Sequence, residues 1–362
     1  MRIAILTELF HPHIGGTEVR LYEISKRLVR RGHEVNVFTI QYSPHAIQEE
    51  DLEAIHVNRY AYSSGYLFSD GFRSWSGVLK YSLSTVLRAL GTDYDIYYFG
   101  QWPILHSLLT KPVVSPCIQE WCEVWYKKIA TLEKILARTM NNHVAVSEFT
   151  KRRMVKFLNL PPDRITVIPN GVELQKFNQK SDKKRGRIVY VGRVVQHKGL
   201  DLLIEAFKTI HKKAPEVELY IAGSGAHLQT IKDNTQRLEG VYVLGHISET
   251  EKIRLLESSW LFIMPSSREG SSIALLEAMA AGTPVLTLNH PDNATKHFCT
   301  YGNGVIVPPS STSVASAVLK LLSNENEWNN MSKAALDYAR QCDWNLVVDR
   351  VEHYFRSVMR NN

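Results

Sequence analysis

The chain has 362 residues, too long for one ordinary core and suited to two domains of roughly 150 to 180 residues each. With 44% hydrophobic and 22% charged residues it is globular rather than disordered in composition, and each half can bury a core of its own. The net charge of +7 sits mostly in the first 180 residues and leaves nucleic acid, an anionic membrane surface or an acidic substrate as partners; basic residues scattered without a zinc-finger, RNP or helix-turn-helix pattern give nucleic acid the least support.

Cys117, Cys122, Cys299 and Cys342 form no C-x-x-C pair and have no histidines at zinc-ligand spacing, so neither a metal framework nor a disulfide scaffold is indicated and a reducing cytoplasm is expected. Arg2-Ile3-Ala4-Ile5-Leu6 is a strand pattern, too early and too short for a signal peptide, and no apolar run approaches the roughly 20 residues of a membrane span. The expected location is cytoplasmic, with association at the inner face of a membrane left open by the basic excess.

In chain order, Ile3–Leu6 reads as a strand, Thr17–Arg31 as a helix with Leu21, Ile24 and Leu28 on one face, and Val35–Thr39 as a second strand, which makes a βαβ unit. Further strands are expected at Ile96–Phe99, Val113–Val114, His143–Val146 and Ile165–Ile168, with helices at Gly77–Leu90 and Ile129–Met140. Gln175 to Arg187 is polar and charged and reads as a linker. The alternation then restarts, with strands at Ile188–Val191, Glu218–Ala222, Val241–Leu244, Leu261–Met264, Val285–Leu288 and Gly304–Val307, and helices at Leu200–Lys212, Ala226–Leu238, Glu249–Ser258, Ser272–Ala281, Ser313–Leu322 and Asn326–Gln341. The expected architecture is α/β: two Rossmann-like, doubly wound domains facing across a cleft, over residues 1–172 and 173–342, with a C-terminal helix in 343–362 returning to the first domain. Ligands of such sheets collect outside the carboxyl ends of the strands.

Gly15-Gly16, just before a helix, leaves room for a phosphate at the helix N-terminus, or makes a plain tight turn. Val191-Gly192-Arg193 followed by Gln196-His197-Lys198-Gly199 places an arginine and a lysine five residues apart in a strand-to-helix loop, where two fixed cations can clamp a diphosphate. Pro265 to Val285 holds a small-residue turn with Glu269, then a helix with Glu277 two turns on. Carboxylates accept hydrogen bonds from paired sugar hydroxyls, and the N–H groups of Gly270, Ser271 and Ser272 at the helix start can meet phosphate oxygens.

Together, Gly15-Gly16-Thr17-Glu18, Val146-Ser147-Glu148-Phe149-Thr150, Ile168-Pro169-Asn170-Gly171-Val172, Val191-Gly192-Arg193 with Lys198-Gly199, Ile221-Ala222-Gly223-Ser224-Gly225, Glu269 through Glu277 and Trp344-Asn345 make the chain resemble the retaining glycosyltransferases of family 4, the glycogen-synthase-like group with the GT-B fold. The resemblance implies a nucleotide-sugar co-substrate, a UDP-sugar first and a GDP-sugar second. Arg193 and Lys198 would hold its diphosphate, Glu277 the ribose hydroxyls, and Glu269 the transferred sugar, while Gly16 would cover the diphosphate from the other domain. Backbone near Gly245-His246-Ile247 would meet the base. Transfer would occur with retention and without a metal or other cofactor, onto a glycan or lipid-linked acceptor.

Two departures from the family pattern stand out. The strand after Lys111-Pro112 carries no histidine where many relatives place one over the donor sugar; the position falls on Ile118, or on Gln119 with a one-residue slip, with Glu120 a further substitute for the hydrogen bond. After Val285 the chain has Leu288-Asn289-His290-Pro291-Asp292-Asn293-Ala294 in place of a Gly-Gly-x-x-Glu loop. A non-catalytic nucleotide-sugar-binding partner subunit is therefore the alternative, and a sugar-nucleotide epimerase a third possibility. His11 and His13 read as solvated or capping residues. Tyr60, Tyr62, Tyr66, Phe68, Phe72, Trp75 and Tyr81, with the basic, apolar segments Arg73–Tyr81 and Thr150–Leu158, are the expected acceptor region and a place for contact with an anionic membrane; ordinary amphipathic core helices are the competing explanation.

Overall fold

Short apolar runs alternating with amphipathic helices produce two large sheets and a small two-stranded one, seen in a computed structural model that describes residues 1–13, 15–41, 43–62, 74–89, 92–124, 130–177 and 182–360. The chain divides into two compact units, Met1–Asn170 with Trp344–Asn362, and Gly171–Asp343.

The N-terminal unit contains β1 (Arg2–Leu6), α1 (Gly16–Arg30), β2 (Glu34–Ile40), β3 (Glu49–Leu52), β4 (Ile55–Tyr60), α2 (Trp75–Ala89), β5 (Ile96–Phe99), α3 (Ile104–Thr110), β6 (Cys117–Trp121), α4 (Ala130–Thr139), β7 (Asn142–Ala145), α5 (Glu148–Arg153) and β8 (Ile165–Val167). Its sheet runs β3-β4-β2-β1-β5-β6-β7-β8, parallel except for β3. The strand order reverses at β1, whose neighbours are β2 and β5, so the loop after β1 opens at a topological switch point.

In the C-terminal unit are β9 (Lys184–Val191), α6 (Leu200–Lys213), β10 (Glu218–Ala222), α7 (Leu228–Thr235), β11 (Val241–Gly245), α8 (Glu249–Ser258), β12 (Ser259–Met264), β13 (Arg268–Glu269), α9 (Ile273–Ala280), β14 (Val285–Leu288), β15 (Asp292–Asn293), β16 (Gly304–Val307), α10 (Ser311–Ser323) and α11 (Glu325–Arg340). The main sheet, β11-β10-β9-β12-β14-β16, is all parallel and switches direction between β9 and β12. Its inner strands β12 and β14 are buried on both faces, which is why they read as continuous apolar runs such as Trp260-Leu261-Phe262-Ile263-Met264. The last helix, α12 (Trp344–Arg360), packs in the N-terminal unit. It buries Trp344, Val347, Val348, Val351, Phe355 and Val358 at helical spacing. Arg31 after α1 reaches Asp349 and Glu352 of α12 at 2.7 and 3.2 Å.

The strand expected at Val113–Val114 is instead a 3-10 turn, Lys111–Val113, and the strand begins at Cys117. Pro112 lacks the N–H a central strand must donate, so pairing starts only beyond it. The β3–β4 hairpin has no counterpart in the expected elements. β3 is the acidic edge segment Glu49-Glu50-Asp51-Leu52, without an apolar run. Its two-residue turn is Glu53-Ala54, both at positive φ (48° and 64°), where Asn-Gly is the usual signal.

The charged stretch expected as a linker is also partly built into the fold, because β9 starts at Lys184. Lys183 is drawn inside, donating to Ala281 O at 2.7 Å and Thr283 Oγ1 at 2.6 Å, and burial pushes its ammonium down to about 7. Among the described residues no helix is long and apolar enough to cross a membrane.

Trp121 at the end of β6 is fully buried and donates its indole N–H to His143 Nδ1 at 3.0 Å, while His143 Nε2 bonds to Met140 O at 3.1 Å. That pairing needs the neutral Nε2–H tautomer, and burial pushes the imidazole down to about 4. In the unfolded chain histidine takes its proton near 6.5. The contribution is therefore complete above that value and is lost as pH falls from it through about 4. Trp121→Phe, which orphans Nδ1, is expected to destabilise the protein by about 1–3 kcal/mol at neutral pH. The deficit should shrink towards pH 4.5, where an unpaired Nδ1 can take a proton; denaturant titration by circular dichroism at both pH values measures it, and an equal deficit at both would refute the tautomer assignment.

Candidate functional site

At the switch point of the C-terminal sheet, backbone approaches backbone so closely that only glycine fits. A Cβ on Gly223 would lie 1.8 Å from Gly192 O, and one on Gly199 would lie 2.1 Å from Pro265 O. Both glycines also have positive φ, 139° and 72°. Gly192 N–H donates to Ala222 O at 3.0 Å and Gly223 N–H to Gly245 O at 2.7 Å, so the loops after β9, β10 and β11 are tied together at the strands' carboxyl ends. The loop after β12 joins them through Ser267, whose N–H donates to His197 O at 3.0 Å.

These contacts bring Lys198, at the end of a short 3-10 turn before α6, against Glu269 of β13. Both side chains are about nine-tenths buried, and the ammonium donates directly to Glu269 Oε2. His197 beside it is pushed down to about 4, first by burial and then by the positive charges of Arg268, Lys198 and Arg193. Arg193 is exposed, and its backbone carbonyl accepts a 2.7 Å bond from the Tyr190 hydroxyl. Burial, then the Glu269 charge, raises the Tyr190 phenol, which places that ring beside the same cluster.

Gly270 and Ser271 lead from Glu269 to Ser272, the N-cap of α9, whose hydroxyl accepts from Leu275 N–H at 3.3 Å. On the same helix Glu277 takes a 2.7 Å hydrogen bond from Lys252 of α8, which also approaches Glu249 at 3.5 Å; Glu249 in turn pairs with Lys176 at 2.7 Å. Burial raises the Glu277 carboxyl while Lys252 opposes the rise. Gly245 ends β11 with φ at 70°, and His246 and Ile247 border a hollow of about 460 Å³ together with Arg187, Tyr220, Leu244 and Arg254. In place of the Gly-Gly-x-x-Glu loop, Asn293 is fully buried, donating to Thr287 Oγ1 and Leu288 O at 3.1 Å each, and β15 pairs with β13, so the segment braces the strand that carries Glu269.

In the N-terminal unit Gly15 is the N-cap of α1, with extended backbone (φ −159°), and a Cβ on Gly16 would meet nothing within 4 Å. Neither glycine is demanded by strain, and the space over Gly16 is open. Thr17 Oγ1 lies 3.5 Å from Cys122 Sγ, which brings the start of α1 to the carboxyl end of β6.

Ile118, Gln119 and Glu120 all lie inside β6 with no solvent exposure. The Gln119 amide donates to Gly100 O at 3.2 Å, and the Glu120 carboxylate receives the Arg20 guanidinium at 2.7 Å and the Tyr98 hydroxyl. The structure thus commits these polar groups to the core, because strand pairing puts the whole of Cys117–Trp121 beneath the helices. The backbone that emerges from β6 is Cys122-Glu123, whose N–H groups both donate to Gln101 Oε1, at 2.8 and 2.9 Å. Gln101, Arg20 and Lys252 each act through a partner on another element, which nothing in the local sequence pattern reveals, whereas Tyr190 bonds within its own strand-to-loop turn, a contact that depends on the loop's conformation. Of the expected acceptor-region aromatics, Tyr66, Phe68 and Phe72, with Arg73, lie outside the described residues.

Comparison with known proteins agrees along most of the length. The family model Glycosyltransferase Family 4 matches residues 14–176, and Glycosyl transferases group 1 matches residues 172–338. An uncharacterized glycosyltransferase of Methanocaldococcus jannaschii is 27% identical over 99% of both chains. The solved sucrose-phosphate synthase of Thermosynechococcus elongatus superposes with a TM-score of 0.83 at 16% identity, covering all of both chains. The Anabaena protein HepE, solved in complex with UDP-glucose, gives 0.77 at 16% identity over 99% of this chain and 100% of that one. Matched by adjoining models that together run from residue 14 to 338, and sharing the fold of these structures, the chain belongs to the family 4 glycosyltransferases, with the GT-B fold.

Proposed function

We infer that the protein transfers a sugar from a nucleotide diphosphate sugar, a UDP-sugar first and a GDP-sugar second, to a hydroxyl of a glycan or lipid-linked acceptor, with retention at the anomeric carbon and no metal. The observation that carries this is the buried Lys198–Glu269 pair set among Arg193, His197 and Arg268 at the β9/β12 switch point. A site that concentrates fixed cations beside one buried carboxylate suits a substrate with a diphosphate at one end and hydroxyls at the other. The UDP-glucose bound by the Anabaena protein supports the ordering of donors.

On this reading Arg193 and Lys198 hold the diphosphate and take up the charge that builds on it as the bond from the anomeric carbon to the phosphate oxygen breaks. The acceptor oxygen bonds to the anomeric carbon on the face the leaving group vacates, and its proton passes to the departing phosphate. Glu269 holds sugar hydroxyls and, before the donor arrives, balances Lys198. Glu277, released from Lys252, receives the ribose hydroxyls. Gly270, Ser271 and Ser272, at the start of α9, are the residues whose backbone would meet phosphate oxygens. Because fixed cations supply the positive field a bound ion would otherwise provide, no metal is called for. The non-catalytic alternative drew on the missing histidine; the intact Lys198–Glu269 pair favours the enzyme.

Incubation with a panel of UDP-, GDP- and ADP-sugars in the presence of candidate acceptors is expected to release one nucleoside diphosphate. Arg193→Ala and Glu269→Ala should each lower kcat by about 10²–10³. Glu269→Gln, which keeps a hydrogen-bond acceptor for Lys198 but not its counter-charge, should lower the melting temperature and, assayed well below that transition, lose turnover; equal turnover in Glu269→Gln and wild type would sink the assignment. The rate should also survive EDTA, and proton NMR of the product should give the donor's own anomeric configuration. Loss of activity on chelation that added divalent ion restores, or an inverted product, would overturn those parts of the reading.

A further inference from the structure

Helix α2 buries one face and leaves another uncovered. Gly77, Val78, Tyr81, Ser82, Thr85 and Ala89 are buried, whereas Trp75, Leu79, Leu83 and Leu87, spaced four residues apart, are 68%, 49%, 56% and 70% exposed. The four form one stripe about 18 Å long. Because the helix is already held by its buried face, the fold itself does not require this stripe.

The surroundings extend the pattern. α3 packs against both α2 and α4, and exposes Leu109, with Val113 in the turn that follows and Ile135 on α4. Seven of the fourteen large hydrophobic side chains exposed among the described residues thus lie on three neighbouring helices and one adjoining turn. The charged side chains here are Lys80, Arg88, Lys111, Lys134 and Arg138, all basic; the one carboxylate, Glu133, is buried. Lys80 donates to Tyr62 O at 2.7 Å and Arg88 lies over the Tyr60 ring at 4.7 Å, contacts that leave both charges in place. Segment 150–158, which has a similar composition, behaves differently: its Met154 and Leu158 are in the core.

We propose that this face docks on an anionic lipid bilayer, with Trp75, Leu79, Leu83 and Leu87 entering the headgroup–acyl boundary and the lysines and arginines meeting lipid phosphates. Apolar stripe, terminal tryptophan and a wholly basic flank are what an interfacial helix needs. A second copy of the chain is a poor occupant, because a two-fold contact through this face would oppose five cations to five with no acid between them. The surface shares no residue with the Lys198–Glu269 site, so it stands or falls separately from the sugar-transfer reading.

Flotation of the full chain with vesicles of phosphatidylcholine plus phosphatidylglycerol, and with phosphatidylcholine alone, tests it. Binding is expected to the anionic vesicles, weaker on phosphatidylcholine and weakened by salt. Leu79→Glu with Leu83→Glu should reduce the bound fraction's partition coefficient about tenfold or more with the melting temperature unchanged, since both positions face solvent. Lys134→Glu with Arg138→Glu should erase the preference for anionic lipid. Failure of the wild type to float, flotation undiminished by the leucine pair, or a lipid-free dimer in sedimentation that the leucine pair dissociates would each overturn the proposal.

Discussion

The buried pair of Lys198 and Glu269 depends on strand loops packed closer than any side chain permits. A lone ammonium or carboxylate at such depth would change its protonation or carry a penalty of several kcal/mol, so each makes the other tenable. Their meeting requires the loops after β9 and β12 to touch, which in turn requires Gly199 against the Pro265 carbonyl. Sheet order completes the condition: β9 and β12 are neighbours because the chain reverses its winding there, and the opening left at their carboxyl ends is filled by charge rather than by core.

The N-terminal unit is held by a different ion pair under the same rule. Arg20 is fully buried in α1 and joins Glu120 of β6; it also donates to the backbone carbonyls of Ile168 and Pro169 at 3.0 and 2.7 Å. Burial works against the guanidinium's charge, yet the Glu120 carboxylate raises its affinity for the proton well beyond the usual value. One side chain thereby ties the helix that begins at Gly16, the strand that would carry a donor-site histidine in many relatives, and the segment that ends at Asn170, where the chain passes to the next unit. The carboxylate once in view as a ligand for sugar is the counter-ion of this clamp. Breaking either partner would strand the other in the core, which is a stronger constraint on Glu120 than a contact to a passing substrate.

Charge of one sign is used in two ways in this chain. In the C-terminal unit Arg193, Lys198 and Arg268 all lie near enough to His197 to disfavour its charge, and Lys198 is balanced by a carboxylate. Along α2 to α4 the cations are spread and unbalanced, interleaved with exposed leucines. Convergent cations favour a compact polyanion; dispersed cations on an apolar ground favour an extended anionic surface. A single figure for net charge could not separate the two.

What the sequence determined by itself is what periodicity and backbone chemistry encode locally. Continuous apolar runs at Ile188–Val191 and Leu261–Met264 mark strands buried on both faces, and the Gly-Arg and Glu-Gly-Ser-Ser turns mark where a parallel sheet offers its loops to a ligand. Where those signals are weak the expected elements failed: β3 is acidic because it is an edge, its turn is Glu53-Ala54 rather than Asn-Gly, and Pro112 shifted the sixth strand. Only the tertiary structure decided the fate of side chains whose partners are remote. Arg20 and Glu120 are 100 residues apart, Lys198 and Glu269 are 71 apart, and Lys183 finds its acceptors on the turn at 281–283. The reason is physical: burial and pairing are properties of a point in space, and a linear pattern records which residues are apolar or charged but not which charges the fold will bring within 3 Å of each other.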